Sequence, residues 1–270
     1  MPSSGIVWTA DGLIVTASHT VETDDHAKVG LADGRTVSAT LVGRDPTTDI
    51  AVLRVDATGL SVPAWDEAAR ARAGQLVVSL GRPGRTIRAA LGMLGAVADA
   101  WQAPTGGRFD RYLQIDSTTP RGFSGGALVA ADGRMLGMNT SRLLRGATLA
   151  VPGSTLRRVV DALLTHGRIR RGYLGIGAHP VRLPAGFRQQ LGQDAGLLVV
   201  SVEPSSPAES AGFYIGDVIV GVNDASVRGL RDLAGALTED RIGAQVTARI
   251  LRAGAAHNLP IVVGEREART

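Results

Sequence analysis

The sequence predicts a mostly β protein of two domains, a sandwich or barrel of many short strands followed by a smaller α+β unit. Three observations predict it. The chain has 270 residues, whereas compact domains commonly hold about 100 to 200 each. As far as residue 150 it is a series of short apolar or alternating runs separated by turn signals. Beyond a single amphipathic helix, strand-like runs alternate with helical ones.

Gly5 to Val7, Leu13 to Ala17, Thr36 to Val42, Ile50 to Val55, Leu76 to Leu80, Met93 to Val97 and Tyr112 to Ile115 read as strands. Asp11-Gly12, Asp33-Gly34 and Asp132-Gly133 supply turns. The first helix is expected over Thr155 to Leu164. There Leu156, Val159, Val160, Leu163 and Leu164 recur at helical spacing behind a Ser154 cap and stop at Gly167. After the basic stretch Arg168 to Arg171, Leu197 to Val202, Val218 to Val222, Val246 to Leu251 and Leu259 to Val263 read as strands. Ser206-Pro207-Ala208-Glu209 carries a cap residue, a proline at the first helical position and a glutamate three residues on, which predicts a short helix ending at Gly212. A longer helix is expected over Arg228 to Thr238, with Leu230, Leu233, Ala234 and Leu237 on one face.

Composition narrows the function classes. At 44% hydrophobic and 20% charged, the chain is neither collagen-like, coiled-coil nor disordered, and no apolar run approaches the roughly 18 residues of a membrane-spanning helix. It has no cysteine, which excludes a disulfide framework, a thiol nucleophile and cysteine-held metals. The net charge is +4 and the pI about 10.2, with Lys28 the only lysine. Arginines run from Arg35 to Arg269 interspersed with acids, the pattern of a solvated basic surface, and no nucleic-acid partner is expected. His26, His166, His179 and His257 have no carboxylate at metal-ligand spacing, so no metal is expected. Met1 to Val7 lacks the basic start and apolar core of a signal peptide.

The chemistry centres on Gly122-Phe123-Ser124-Gly125-Gly126. Glycines around a serine let the backbone turn so that the N–H groups of Gly122 and Ser124 can face one developing oxyanion. Taken alone, the run reads equally well as an ordinary glycine-rich turn. Two upstream segments favour catalysis. His19 ends a strand-like run, and Asp49 enters another within Asp45-Pro46-Thr47-Thr48-Asp49. A neutral serine needs a base, and the base needs a carboxylate to fix its tautomer and stabilise the imidazolium. Asp45 is the competing carboxylate, but it precedes Pro46 and reads as a turn or cap residue.

These segments resemble the HtrA/Deg family of trypsin-like serine proteases with a C-terminal PDZ domain, and the resemblance covers nearly the whole chain. It is carried by Asp11 to Thr16 leading to His19, Asp45 to Val55, Gly81-Arg82-Pro83, Leu113 to Asp116, Gly122 to Gly126, Gly137 to Thr140 and Arg171 to Ile176. It implies a chymotrypsin/trypsin-like double β-barrel over residues 1–166 and an α+β PDZ domain over 171–265. It implies His19 as general base, Asp49 as its orienting carboxylate, Ser124 as nucleophile, and the N–H groups of Gly122 and Ser124 as oxyanion hole. Tyr173-Leu174-Gly175-Ile176 becomes the loop that holds a peptide's terminal carboxylate, the peptide adding as a strand beside Ile176.

The implied function is ATP-independent endopeptidase action on unfolded or misfolded polypeptide in protein quality control, without cofactors. Unfolded chains and C-terminal peptides are the partners, a homotrimer or higher homo-oligomer the assembly, and the periplasm or cell envelope the location. The alternative is a catalytically weak PDZ-bearing peptide-binding protein or chaperone.

Two departures and one correspondence carry expectations of their own. The family commonly has asparagine where this chain has Phe123, and a ring cannot make the same hydrogen bonds, so the oxyanion hole is expected to be shaped by packing or to need a trigger. Pro104 to Asp110 and Ser141 to Ala147 occupy the places of mobile activation and specificity loops, which implies an inactive resting state. Family members begin before the Ser3 to Val7 strand, so the first barrel is expected to lack a strand and leave an edge.

Overall fold

The computed structural model describes residues 2–22, 27–65, 70–117 and 120–265, and the chain separates into two compact units, Met1–Ile169 and Arg170–Thr270. In the first unit, β1 (Gly5–Val7), β2 (Leu13–Ala17), β3 (Ala27–Gly30), β4 (Thr36–Asp45) and β5 (Ile50–Val55) form an antiparallel sheet in the order β1-β2-β5-β4-β3. Among the described residues β1 pairs with β2 alone, so its outer side is an edge.

A closed barrel follows. It takes β6 (Leu76–Gly81), β7 (Arg88–Ala98), β10 (Tyr112–Ile115), β11 (Ala127–Ala130), β12 (Met135–Thr140) and β13 (Thr148–Pro152), in the order β10-β13-β12-β11-β6-β7. A small ribbon of β8 (Trp101–Gln102) and β9 (Arg108–Phe109) stands beside it. The strand expected over Met93 to Val97 is the second half of the longer β7, and β4 runs to Asp45 rather than Val42.

The helix α1 (Gly153–His166) is longer than expected. Its N-cap is Pro152, with no side-chain bond, and Ser154 lies inside the first turn. Gly167 ends it in the left-handed conformation at φ 69°, as helix C-termini favour. Leu156, Val159, Val160 and Leu163 are buried, but Leu164 is 41% exposed, so it lies outside the apolar stripe. That stripe joins Ile6, Val15, Ile50 and Val52 of the sheet to Met138, Leu149 and Val151 of the barrel in one core. The two β layers are therefore fixed to each other by burial along their junction, where the residues of interest sit.

The second unit is α+β. Its main sheet has the order β15-β16-β17-β19-β20, from β15 (Ile176–Arg182), β16 (Ala195–Val202), β17 (Val218–Val222), β19 (Gln245–Arg252) and β20 (Ala255–Val262). The short β18 (Ala225–Ser226) pairs with β17, and β14 (Gly172–Tyr173) with β21 (Gly264–Glu265). The unforeseen α2 (Ala185–Leu191) follows β15. In α3 (Pro207–Ser210) the Ser206 side chain accepts from Glu209 N at 3.2 Å, while the Glu209 carboxylate takes the Ser205 N–H at 2.6 Å. The helix α4 spans only Leu230–Ala236. Leu233 and Leu237 enter the core, whereas Leu230 is 53% exposed and Ala234 also faces outward, correcting the expected four-residue apolar face.

Asp217 and Arg252 tie the segment after α3 to the end of β19. Arg252 donates twice to the buried Asp217 carboxylate at 2.7 Å and once to Gly212 O at 2.7 Å, and its guanidinium lies over the Tyr214 ring. Burial pushes the Asp217 carboxyl up, but the Arg252 bonds and the Tyr214 N–H outweigh it and hold it below the usual 3.8. A depressed folded-state value contributes stability above the unfolded value of about 3.9, and that contribution is lost as pH falls toward the folded value. Arg252→Ala should cost this unit about 3 kcal/mol at pH 7 because removal strands the buried Asp217 charge, the low end for such pairs since Arg252 is 29% exposed. Denaturant unfolding should show that loss shrinking below pH 4; a loss independent of pH would contradict the assignment.

Candidate active site

The register of β2 against β5 sets the first pair. Ala17 lies opposite Ile50, so the residues just beyond these partners, Ser18 and Asp49, meet, and Ser18 N donates to Asp49 O at 3.1 Å. His19 then sits in a 3-10 turn, Ser18–Thr20. Its backbone N–H donates to Asp49 Oδ1 at 3.0 Å, and its Nδ1 lies 2.9 and 2.8 Å from the two carboxylate oxygens. Thr140, at the end of β12, donates its hydroxyl to Asp49 Oδ2 at 2.5 Å. At 2% exposure the Asp49 carboxylate meets donors in place of water, and a proton on Nδ1 leaves Nε2 with its lone pair free.

Asp49 reaches this position in the left-handed region, at φ 59°. Such a conformation is tolerated best by Asn and Asp among non-glycine residues. Asp45 serves the turn instead. Its carboxylate accepts from Thr47 N at 3.1 Å, Thr47 Oγ1 at 2.7 Å and Thr48 Oγ1 at 2.7 Å. The two aspartates of one short run thus have separate tasks, one shaping the turn and one facing His19.

The Ser124 loop arrives from the barrel. Phe123 N donates to Pro120 O at 3.2 Å, and Gly122 has φ 86°. A positive φ at the third residue marks a type II turn, in which the middle peptide faces opposite to its type I orientation. That peptide carries the Gly122 N–H. Among the described residues the N–H groups of Gly122 and Ser124 donate to no acceptor, while Gly125 N and Gly126 N donate to Asn139 O and Phe123 O. Gly125 lies so close to β2 that an added Cβ would stand 2.9 Å from Ala17 N and 2.2 Å from Ser4 O. This contact brings the Ser124 loop against the strand end that leads to His19. The Ser124 hydroxyl is 3.3 Å from Ser141 Oγ, and it makes no hydrogen bond to His19 among the described residues.

In the second unit Gly175 has φ 81°, and an added Cβ would stand 2.2 Å from Ser206 Cβ. Leu174 is buried, and its carbonyl accepts from Ala208 N at 2.8 Å; Gly175 O accepts from Glu203 N at 2.8 Å. The Tyr173 hydroxyl donates to the Glu203 carboxylate. Among the described residues the N–H groups of Leu174 and Gly175 have no acceptor, and Ile176 begins β15, an edge strand of the sheet.

Residues 3–138 match the trypsin-like peptidase domain, and residues 172–263 the PDZ domain. A probable periplasmic serine endoprotease DegP-like from Brucella suis biovar 1 (strain 1330) is 32% identical over 96% of this chain and 52% of its own length. Serine endoprotease DegS of Salmonella typhimurium (strain 14028s / SGSC 2262) is 32% identical over 92% of this chain and 72% of its own. The chain belongs to the HtrA/Deg family. It spans about half the length of the DegP-like relatives it matches. A solved HtrA-type protease, AlgW with decapeptide, superposes with a TM-score of 0.82 at 29% identity, covering 99% of this chain and 84% of that one. The serine endoprotease from Yersinia pestis superposes at 0.78, with 29% identity, over 98% and 89%.

Within this HtrA/Deg chain, Phe123 is 1% exposed, and its ring packs where Gly81 leaves room; a Cβ there would stand 2.7 Å from the ring. The segment Pro104 to Asp110 is tied down at both ends. Thr105 Oγ1 donates to Thr47 O at 2.7 Å, on the turn that presents Asp49, and Asp110 exchanges two 2.9 Å bonds with Thr155. Sequence reasoning overlooked Thr140 as part of the site; its one signal was its place at the end of the Gly137 to Thr140 segment. His166 ends α1, and His179 and His257 occupy exposed strand positions. His26 falls outside the described residues. No described helix is long and apolar enough to cross a membrane.

Proposed function

We propose that this chain is an ATP-independent serine endopeptidase of protein quality control that cuts unfolded or misfolded polypeptide. The observation that carries the reading is the His19 ring held on the buried Asp49 carboxylate, together with a serine loop whose Gly122 and Ser124 N–H groups have no acceptor among the described residues. Ser124 Oγ attacks the scissile carbonyl carbon while His19 Nε2 takes its proton, and Asp49 stabilises the imidazolium. The carbonyl oxygen becomes an oxyanion facing the N–H groups of Gly122 and Ser124. Collapse breaks the C–N bond, the amine leaves with the proton from His19, and water repeats the sequence on the ester to release the acid.

The Ser124 hydroxyl rests 3.3 Å from Ser141 Oγ and must engage His19 before it can act as a nucleophile. This contact supports an inactive resting state, and in its extreme form the second reading, a catalytically weak peptide-binding protein or chaperone. In the PDZ unit the Leu174 and Gly175 amides and the β15 edge suit capture of a C-terminal peptide, with Tyr173 and Ile176 flanking the carboxylate site. The names of the DegP-like relatives support a periplasmic location, and a homotrimer or higher homo-oligomer follows from family resemblance.

Incubation with casein and with a fluorophosphonate probe, each with and without a PDZ-binding peptide, tests the reading. Degradation together with probe mapped to Ser124 is expected, and faster with peptide. A chain that neither degrades casein nor labels under either condition overturns the endopeptidase reading and favours the second one.

A further inference from the structure

We propose that Ser4 is a positioning residue for the oxyanion hole, a role that rests on the serine endopeptidase reading above. Ser4 lies just ahead of β1 and is 6% exposed. Its hydroxyl donates to Gly122 O at 2.7 Å and accepts from Arg82 N at 2.7 Å. Its backbone N–H donates to Ser124 O at 3.2 Å, and its carbonyl accepts from Thr16 Oγ1 at 2.7 Å.

One residue therefore binds three separate parts of the site. Thr16 belongs to β2, which leads into His19; Arg82 follows the end of β6, where Gly81 receives the Phe123 ring; Gly122 and Ser124 are the nucleophile loop itself. The base and its carboxylate come from the sheet, and the nucleophile from the barrel. Ser4 holds these two pieces in register at the level of individual hydrogen bonds.

The hydroxyl has the more specific task. Gly122 lacks a side chain and is free to rotate on either side of its α-carbon. Phe123 N, bonded to Pro120 O, fixes one face of the following peptide, and Ser4 Oγ fixes the Gly122 carbonyl on the other. With that peptide held at both ends and Ser124 O held by the Ser4 N–H, the segment that joins the two oxyanion donors keeps its place, and the Gly122 N–H turns only with the preceding Arg121–Gly122 peptide. Without the hydroxyl, Gly122 O and Arg82 N lose a shared buried partner, and such groups rotate toward other partners or water. The loop then spends less time with its oxyanion donors aligned.

Ser4→Ala should lower kcat by about 10- to 100-fold on an internally quenched peptide, with KM within about twofold, because donor misplacement is felt in the transition state. Affinity for a peptide trifluoromethyl ketone, which forms a tetrahedral adduct on serine, should fall by the same factor. Fluorophosphonate should still label every chain, only more slowly, whereas a variant that merely folds poorly would label a smaller fraction at the wild-type rate. Ser4→Thr, which keeps the hydroxyl, should recover most of the lost kcat. If wild type is active and Ser4→Ala matches it in kcat and inhibitor affinity, the Ser4 role is overturned and the functional reading stands. If the variant loses only labelled fraction, its role is structural and the proposal also fails. A wild-type chain that neither labels nor cleaves overturns both.

Discussion

Ser124→Ala is expected to abolish casein turnover and fluorophosphonate labelling, lowering kcat by about six orders of magnitude, since removing the nucleophile leaves only binding and the oxyanion hole to act. His19→Ala should cost as much, and the double variant no more than either single one, because base and nucleophile act as a unit. Asp49→Asn is the discriminating member, with a smaller expected loss of about 10⁴-fold. Asp49 accepts the His19 backbone N–H, the Nδ1 bond and the Thr140 hydroxyl. An amide would present its NH₂ to one of these donors and favour the wrong histidine tautomer. Asp45→Asn should leave kcat within a few-fold and act on stability through the turn bonds to Thr47 and Thr48. Equal losses from the two aspartates would overturn their assignments.

Much of this arrangement was legible in the sequence, for identifiable reasons. The apolar runs Leu13 to Ala17 and Ile50 to Val55 became β2 and β5 with the expected ends, and their antiparallel register brings His19 to Asp49. The strand Met135–Thr140 was not foreseen, because Gly137 and Asn139 interrupt its pattern. Both are there for local reasons. A Cβ at residue 137 would stand 2.3 Å from Val151 O, and the buried Asn139 side chain is satisfied by Ser79 and Ala127. Thr140 escaped notice because a buried β-branched residue at a strand end looks like packing; only the fold shows its hydroxyl on Asp49. Leu230 was misread in the opposite sense, since helical spacing marks an apolar face without saying that the core covers all of it. The contact of the Ser124 hydroxyl with Ser141 has no signature in residue order at all.

Gly122→Ala should lower kcat by about 10²- to 10³-fold with little change in KM, the effect of losing one oxyanion donor. Two constraints act on this position. Its φ of 86° is one that side-chain-bearing residues seldom adopt. An added Cβ would also stand 2.4 Å from Pro83 Cβ and 3.1 Å from Pro2 O. The Pro83 ring has little freedom to withdraw, so the loop itself must shift, and the Gly122 N–H turns with it. Gly133→Ala separates strain from position. Its φ is 84°, yet nothing lies within 4 Å of an added Cβ, and it sits in the Asp132-Gly133 turn between β11 and β12. It should lose about 1 kcal/mol of stability from backbone strain and keep wild-type kcat and KM. Measuring both parameters and the denaturation midpoint for the two variants decides the matter. If Gly122→Ala behaves like Gly133→Ala, destabilised but fully active, the oxyanion is held by groups other than the Gly122 N–H.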